Sequence, residues 1–317
     1  MAIGEHKDSM EQTPLLVLLG PTASGKTRLA VQVALRLGGE IVSVDSRQVY
    51  RGMDIGTGKD LAEYTGVPYH LIDIVAAGHQ YNVREFVEDF RKVYPSIVAK
   101  GRVPLLCGGT GMYLQALLAG HRHLEIPIDP SLRERLHTMD RDALLLLWER
   151  LPGHLFPSAD ISTTKRLMRA IEIVTFLSAN PDIDPETIEN RAYPAVVFGL
   201  NPDRDLRRHR ITIRLKDRLA NGLIEEVASL LNKGLSAEEL IYYGLEYKWI
   251  TMYLVGDLKY DEMVAKLETE IHRFAKRQMT FFRKMEKDGV AINWLNPNEP
   301  IDQQTNYIVD TYRRYKI

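Results

Sequence analysis

The chain contains a single cysteine, Cys107, in 317 residues. A disulfide needs two thiols and a cysteine-based zinc site needs more, so neither framework supports this fold. Nothing near Cys107 in sequence would lower its pKa, and its place at the end of an apolar run reads as a small core residue. A chain without disulfides suits a reducing cytoplasm. Net charge is also nearly absent, with 41 Lys and Arg against 42 Asp and Glu. Any nucleic-acid partner must therefore be met by a local basic patch rather than a global field. No apolar run approaches the ~20 residues of a membrane helix. Residues 1–13 lack a hydrophobic signal core and read as a disordered tail, with Met10 as a second candidate start. The nine histidines, His121 and His123 among them, show no spacing such as H-E-x-x-H and read as ordinary surface or core residues.

What is present is a core-forming composition, 45% apolar and 26% charged, enough for one large domain or two ordinary ones. Apolar runs at 15–19, 41–44, 71–75, 103–107 and 196–200 read as buried strands. Helical patterns alternate with them at 26–37 and 82–100, the second with Asn82 as N-cap, Glu85 three residues on, and Pro95 inside. Such alternation specifies an α/β fold with a parallel sheet flanked by helices. After residue 118 the pattern changes to helices near 130–137, 141–150 and 162–177, then a turn-rich stretch at 180–185. The expected organisation is a core of 14–118 and 195–317, interrupted by a small helical insertion domain at 119–194. The C-terminal part is helical, with long segments near 207–233 and 261–287.

The most specific motif is Gly20-Pro21-Thr22-Ala23-Ser24-Gly25-Lys26-Thr27, a G-x-x-x-x-G-K-[ST] loop between a strand and a helix. Its backbone N–H groups and the helix N-terminus suit an anion. Lys26 adds a point charge, and the Thr27 hydroxyl is placed to hold Mg²⁺. The strand at 41–44 runs into Asp45-Ser46-Arg47-Gln48, where a carboxylate faces the ligand crevice as a metal ligand or a general base. The strand at 103–107 runs into Gly108-Gly109-Thr110, which brings a hydroxyl to the same crevice. Gly56-Thr57-Gly58-Lys59 reads as a turn.

Basic residues cluster in three arrays. Lys165, Arg166 and Arg169 lie one turn apart on the 162–177 helix. Arg207, Arg210, Arg214 and Arg218 form one helical stripe, with only Asp205 and Asp217 as nearby acids in 204–218. Arg273, Lys276, Arg277, Arg283, Lys284 and Lys287 are interleaved with Phe274, Phe281 and Phe282. That mixture suits a phosphate backbone, although helical spacing places the phenylalanines in the core.

Together, GPTASGKT at 20–27, SVDSRQVYRGMDIGTG at 43–58, LLCGGTGMY at 105–113, KRLMRAIEI at 165–173, NGLIEEV at 221–227, YYGLEYK at 242–248 and AKRQMTFFRK at 275–284 resemble the bacterial-type tRNA dimethylallyltransferases. The resemblance spans nearly everything from Pro14 to Trp294. It implies a P-loop NTPase-like fold whose loop binds dimethylallyl diphosphate through Gly20, Thr22, Ala23, Ser24, Gly25, Lys26 and Thr27, with Mg²⁺. The implied reaction moves the dimethylallyl group to N6 of adenosine 37 in the anticodon stem-loop of tRNAs reading U-initial codons. Asp45 matches the general base, Thr110 a threonine on the reacting diphosphate, and Arg214 its clamp. Asp45, Ser46, Arg47, Gln48, Lys165, Arg166, Arg169, Tyr243, Gly244, Lys276, Arg277, Gln278 and Arg283 match tRNA-contacting segments. A monomer is expected, in the cytoplasm as the cysteine count suggests and with no membrane partner, since long apolar runs are absent. The chain departs from the pattern in a shortened insertion. It also has Tyr243-Gly244-Leu245-Glu246-Tyr247 where V-G-Y-[KR]-[EQ] is usual, and His272 where an arginine is usual. Prenylation of free adenine nucleotides and small-metabolite phosphoryl transfer are the competing enzyme classes, and the basic 275–284 helix favours tRNA over the former.

Overall fold

The computed structural model describes residues 13–120, 122–124, 126–183 and 192–315. The 1–12 part of the expected tail, Met10, His121 and residues 184–185 of the turn-rich stretch lie outside these. The chain divides into two compact units, one formed by Met1–Leu118 with Tyr193–Ile317 and the other by Ala119–Ala192.

The first unit is built on six parallel strands: β1 (Leu15–Leu19), β2 (Gly39–Val44), β3 (Tyr69–His70), β4 (Val103–Gly108), β5 (Ala195–Leu200) and β6 (Ile292–Leu295). Their order is β3-β2-β4-β1-β5-β6. All five residues of β1 are fully buried, as a strand covered on both faces of a parallel sheet requires. Leu16 and Leu18 face a core shared with Leu29 and Val33 of α1 (Lys26–Leu37), and with Ile308 and Tyr312 of α12 (Ile301–Tyr315). Two tyrosines bolt the chain leading into β1. Tyr94 donates its hydroxyl to the Thr13 carbonyl at 2.8 Å, and Tyr312 to that of Pro14 at 2.7 Å.

α2 (Val83–Ala99) starts as its sequence predicts, Asn82 and Glu85 forming a reciprocal capping box. α3 (Gly111–Leu118) follows β4. Two expectations need correction. Residues 71–75 are not a strand. Leu71 and Asp73 adopt φ of 60° and 57°, and the pairing shrinks to Tyr69–His70 and an isolated Tyr50–Val75 bridge. Arg51 takes the Asp73 and Ile74 carbonyls at 2.9 Å instead. The 207–233 segment is two helices, α7 (Arg204–Ala220) and α8 (Leu223–Asn232), broken where Gly222 takes φ 97°. α9 (Ala237–Tyr243), α10 (Leu245–Leu254) and the 28-residue α11 (Tyr260–Lys287) complete this unit.

The second unit holds α4 (Pro130–His137), α5 (Arg141–Glu149) and α6 (Thr164–Ala179), each opened by a side-chain cap from Asp129, Asp140 or Thr163. Its core joins Leu132, Leu136, Leu144, Leu167, Met168 and Ile171. Glu172 is buried in it, paired bidentately by Arg133 at 2.6 Å and by Arg169 at 3.1 Å. Among the described residues no helix is long and apolar enough to cross a membrane.

Candidate active site

The P-loop leaves β1 and ends at Gly25, the N-cap of α1. Its geometry is fixed from outside by one side chain of α11. Gln278 accepts the Thr22 N–H at 2.9 Å and donates to the Gly109 carbonyl at 3.0 Å. A Cβ on Gly109 would fall 2.2 Å from the Gln278 amide nitrogen, so the contact requires glycine there. The loops after β1 and β4 are thereby tied to one helix at the carboxyl edge of the sheet, where open α/β folds bind ligands.

These loops border a cavity of about 580 Å³. Asp45 enters it from the end of β2, its Oδ1 accepting the Arg47 N–H at 2.9 Å. Thr110 accepts the Ser46 N–H at 3.0 Å and so fixes the same corner. Lys26 and Thr27 enter from α1, and Arg214 from α7. Arg214 donates to the Thr22 hydroxyl. Burial, and then the like charge of Arg218, lower the Arg214 pKa to about 10 against the pull of Glu246, Asp60 and Asp45. Burial likewise lowers Lys26, whose Nζ has, among the described residues, only the Pro21 carbonyl at 3.5 Å as a hydrogen-bond contact. Cations held this way interact strongly with any anion that enters. Cys107 also borders the cavity, but burial raises its thiol to about 11, consistent with a packing role.

The rest of the lining includes the aromatic residues Tyr243, Tyr247 and Trp249 and the acidic Glu246. Arg47 lies over the Tyr243 ring at 5.5 Å. The Glu226 carboxylate accepts three successive N–H groups, of Asp54, Ile55 and Gly56, at 2.7, 2.7 and 3.0 Å, and the Tyr247 hydroxyl at 2.7 Å. It thereby holds the 54–58 loop against α10.

A family model described as IPP transferase matches residues 48–285, and one described as Isopentenyl transferase matches residues 13–66. The chain is 49% identical to tRNA dimethylallyltransferase 1 of Porphyromonas gingivalis over 94% of its own length and 99% of that relative's. It is 46% identical to tRNA dimethylallyltransferase 2 of Bacteroides fragilis, over 97% of this chain and 100% of that one. The chain belongs to the tRNA dimethylallyltransferases. The solved tRNA isopentenylpyrophosphate transferase of Bacillus halodurans shares its fold with a TM-score of 0.71 at 31% identity, covering 96% of this chain and 97% of that one. A eukaryotic dimethylallyltransferase acting on tRNA matches with a TM-score of 0.77 at 21% identity, covering 96% and 77%, a likeness of fold.

In this dimethylallyltransferase the structure gathers many of the expected residues around one cavity. Thr22, Lys26, Thr27, Asp45, Ser46, Arg47, Gln48, Arg214, Tyr243, Gly244, Arg277 and Gln278 all border it. Thr110 does not, and its hydroxyl braces the Asp45–Ser46 corner instead. Ala23, Ser24 and Gly25 border a second cavity of about 510 Å³, which shares Asp60 and Arg214 with the first; Gly20 borders neither. Lys276 and Arg277 line a shallow groove on α11 with Phe281 and Lys284. Arg283 is exposed outside that groove. Only Phe282 of the three phenylalanines is core; Phe274 borders the first cavity.

Several residues expected on tRNA are engaged within the protein. Gln48 accepts the Ser43 hydroxyl at 2.8 Å and donates to the Gly58 carbonyl at 3.0 Å. Tyr243 is buried, its hydroxyl accepting the Gly78 N–H at 2.6 Å and donating to the His79 carbonyl at 3.2 Å. Gln278 is buried with its amide spent on the two loops. Arg169 donates to the His123 and Ile126 carbonyls at 2.8 Å and to Glu172. Arg166 pairs with Asp160 at 2.6 Å on the surface of the second unit. The 56–58 loop is more than a turn, since Gly56 and Gly58 border the cavity and a Cβ on Gly58 would fall 1.8 Å from Arg218. Sequence reading gave no role to Glu226, which anchors the 54–56 loop from behind the lining, and named Glu246 and Tyr247 only as departures from the usual pattern, not as cavity-lining residues. The only available signal was the turn spacing of Arg218 from Arg214.

Proposed function

We propose that the enzyme transfers the dimethylallyl group of dimethylallyl diphosphate to N6 of adenosine 37 in tRNAs reading U-initial codons, releasing diphosphate. The observation that carries this is the convergence of Asp45 with Lys26, Thr27 and Arg214 on one cavity. A carboxylate beside an anion cradle suits a reaction that removes a proton and expels diphosphate. The N6 lone pair is delocalised into the ring, so N6 becomes an effective nucleophile only as its proton leaves. Asp45 accepts that proton while the N6–C1 bond forms. The C1–O bond breaks, and its electron pair departs on the diphosphate. Lys26 and Arg214 stabilise the growing charge.

Thr27 offers a hydroxyl that fits Mg²⁺ completed by substrate phosphates and water, with Asp45 left unligated as the base. No larger cluster of acidic, histidine or cysteine ligands occurs among the described residues. Bound there, the ion would neutralise charge on the leaving diphosphate.

The target base must leave the anticodon-loop stack to reach Asp45. Arg47, braced by the buried Tyr243 ring, and the α11 groove residues Lys276 and Arg277 are the proposed RNA contacts of the first unit, with Arg283 beyond them. Lys165 and Arg166 are those of the second. The enzyme is proposed to act as a cytoplasmic monomer.

Incubation with dimethylallyl diphosphate, Mg²⁺ and a U-codon-reading tRNA should yield N6-dimethylallyl-adenosine by mass spectrometry of the digested RNA. Unmodified tRNA, or preferential prenylation of free AMP in a competition with an anticodon stem-loop, would overturn the assignment.

A further inference from the structure

A buried ion pair on the cavity wall plays no part in the transfer step above. Arg218 follows Arg214 by one turn of α7, borders the same cavity and is 7% exposed. Its Nη2 lies over Gly58 without a hydrogen-bond partner. Among the described residues its charge is met only at longer range. Glu246 Oε1 of α10 stands 3.8 Å from Nη1, and Asp60 Oδ2 stands 3.9 Å from Nη2. These separations exceed hydrogen-bond distance, so the association is electrostatic rather than a fixed clamp. Glu246 also borders the cavity and is 8% exposed. Burial raises its carboxyl pKa, against the opposing pull of Arg218 and Arg214.

Arg214 and Arg218 would repel each other in this setting without a counter-ion. Glu246 supplies one, and Arg218 occupies it. Arg214 retains donors for a ligand, since its hydrogen bond to Thr22 uses one nitrogen. The same carboxylate faces any diphosphate in the cavity as a like charge. We propose that Glu246, held by Arg218, is a charge-balancing residue that limits the cavity's grip on diphosphate and so speeds product release. The proposal rests on the donor reading above. It assigns opposite effects to the two members of a pair that a purely structural role would treat alike.

The test is competitive inhibition of dimethylallyl transfer by inorganic diphosphate in four proteins. Glu246→Gln should lower the inhibition constant about tenfold, and Arg218→Gln should raise it about tenfold, as expected for removing one unit charge near an anion in a partly desolvated site. The double variant leaves the cavity's net charge unchanged and should return to within about threefold of wild type. Glu246→Gln should also lose steady-state kcat while its single-turnover rate holds. Weaker diphosphate binding in all three variants, or an unchanged constant in Glu246→Gln, would overturn the proposal. If Glu246→Gln does not fold, the double variant compared with Arg218→Gln poses the same question, with tighter binding expected in the double. Failure of the wild type to transfer the prenyl group at all would instead refute the donor reading.

Discussion

Glu40 and Asp45 stand at opposite ends of β2 and do different work. Asp45 follows the carboxyl end and opens on the cavity. Asp45→Asn preserves its shape and removes its basicity. It should lower kcat by about 10²- to 10⁴-fold, the usual contribution of a general base, while tRNA affinity measured by filter binding stays within a few-fold. Glu40 lies near the amino end with its side chain 3% exposed, paired with His70 Nε2 at 2.7 Å and Lys100 at 3.2 Å. Burial alone would raise its pKa, but the hydrogen bonds and charges of His70 and Lys100 outweigh burial and lower it below 4.5. A carboxyl with a depressed folded pKa stabilises the fold above its unfolded pKa. That stability is lost as pH falls through the folded value. Urea unfolding should therefore show wild type losing stability below about pH 4.5. Glu40→Gln should start about 1–3 kcal/mol lower at pH 7 and lose less on acidification.

At the scale of elements, Glu226 joins α8, the 54–56 backbone and α10 through one carboxylate. Glu226→Ala strips partners from three backbone N–H groups and the Tyr247 hydroxyl, and should cost about 2–4 kcal/mol. Calorimetry should show a fall of several degrees in Tm, together with a raised KM for the donor. An unchanged KM would mean that the loop keeps its place without this tie. The contact also shows why part of the site was illegible. β1, the P-loop, α1 and α2 were readable because strand burial, the glycine–lysine spacing and the Asn82–Glu85 box are local patterns. Glu226 and Tyr247 are 21 residues apart, and Arg218 and Glu246 are 28 apart by their numbering, so no periodicity links either pair. Residues 71–75 misled for a related reason. Their apolar content matched a strand, but Arg51, some twenty residues earlier, took the carbonyls that a strand would have used. The one-helix reading of 207–233 failed where a single glycine reversed φ.

At the scale of the whole molecule, a net charge of −1 coexists with a basic groove on α11. The charges are segregated rather than few, so RNA affinity should depend steeply on salt despite the neutral total. A plot of log K against log salt concentration for an anticodon stem-loop should be linear, with a slope near −0.7 to −0.9 per phosphate neutralised. Lys276→Ala should reduce that slope by about one. A flat dependence would place the RNA elsewhere on the surface.

The bolt between Tyr312 and Pro14 also sets a schedule. The two residues are 298 positions apart, and β1 pairs with β5, whose first residue is Ala195. A ribosome adding roughly 5–20 residues per second needs about 15–60 s to travel from one end of that hydrogen bond to the other. Throughout that interval Leu15–Leu19, the most deeply covered strand of the finished enzyme, lacks its final cover. The P-loop that follows it cannot take its working shape until almost the last helix has been made.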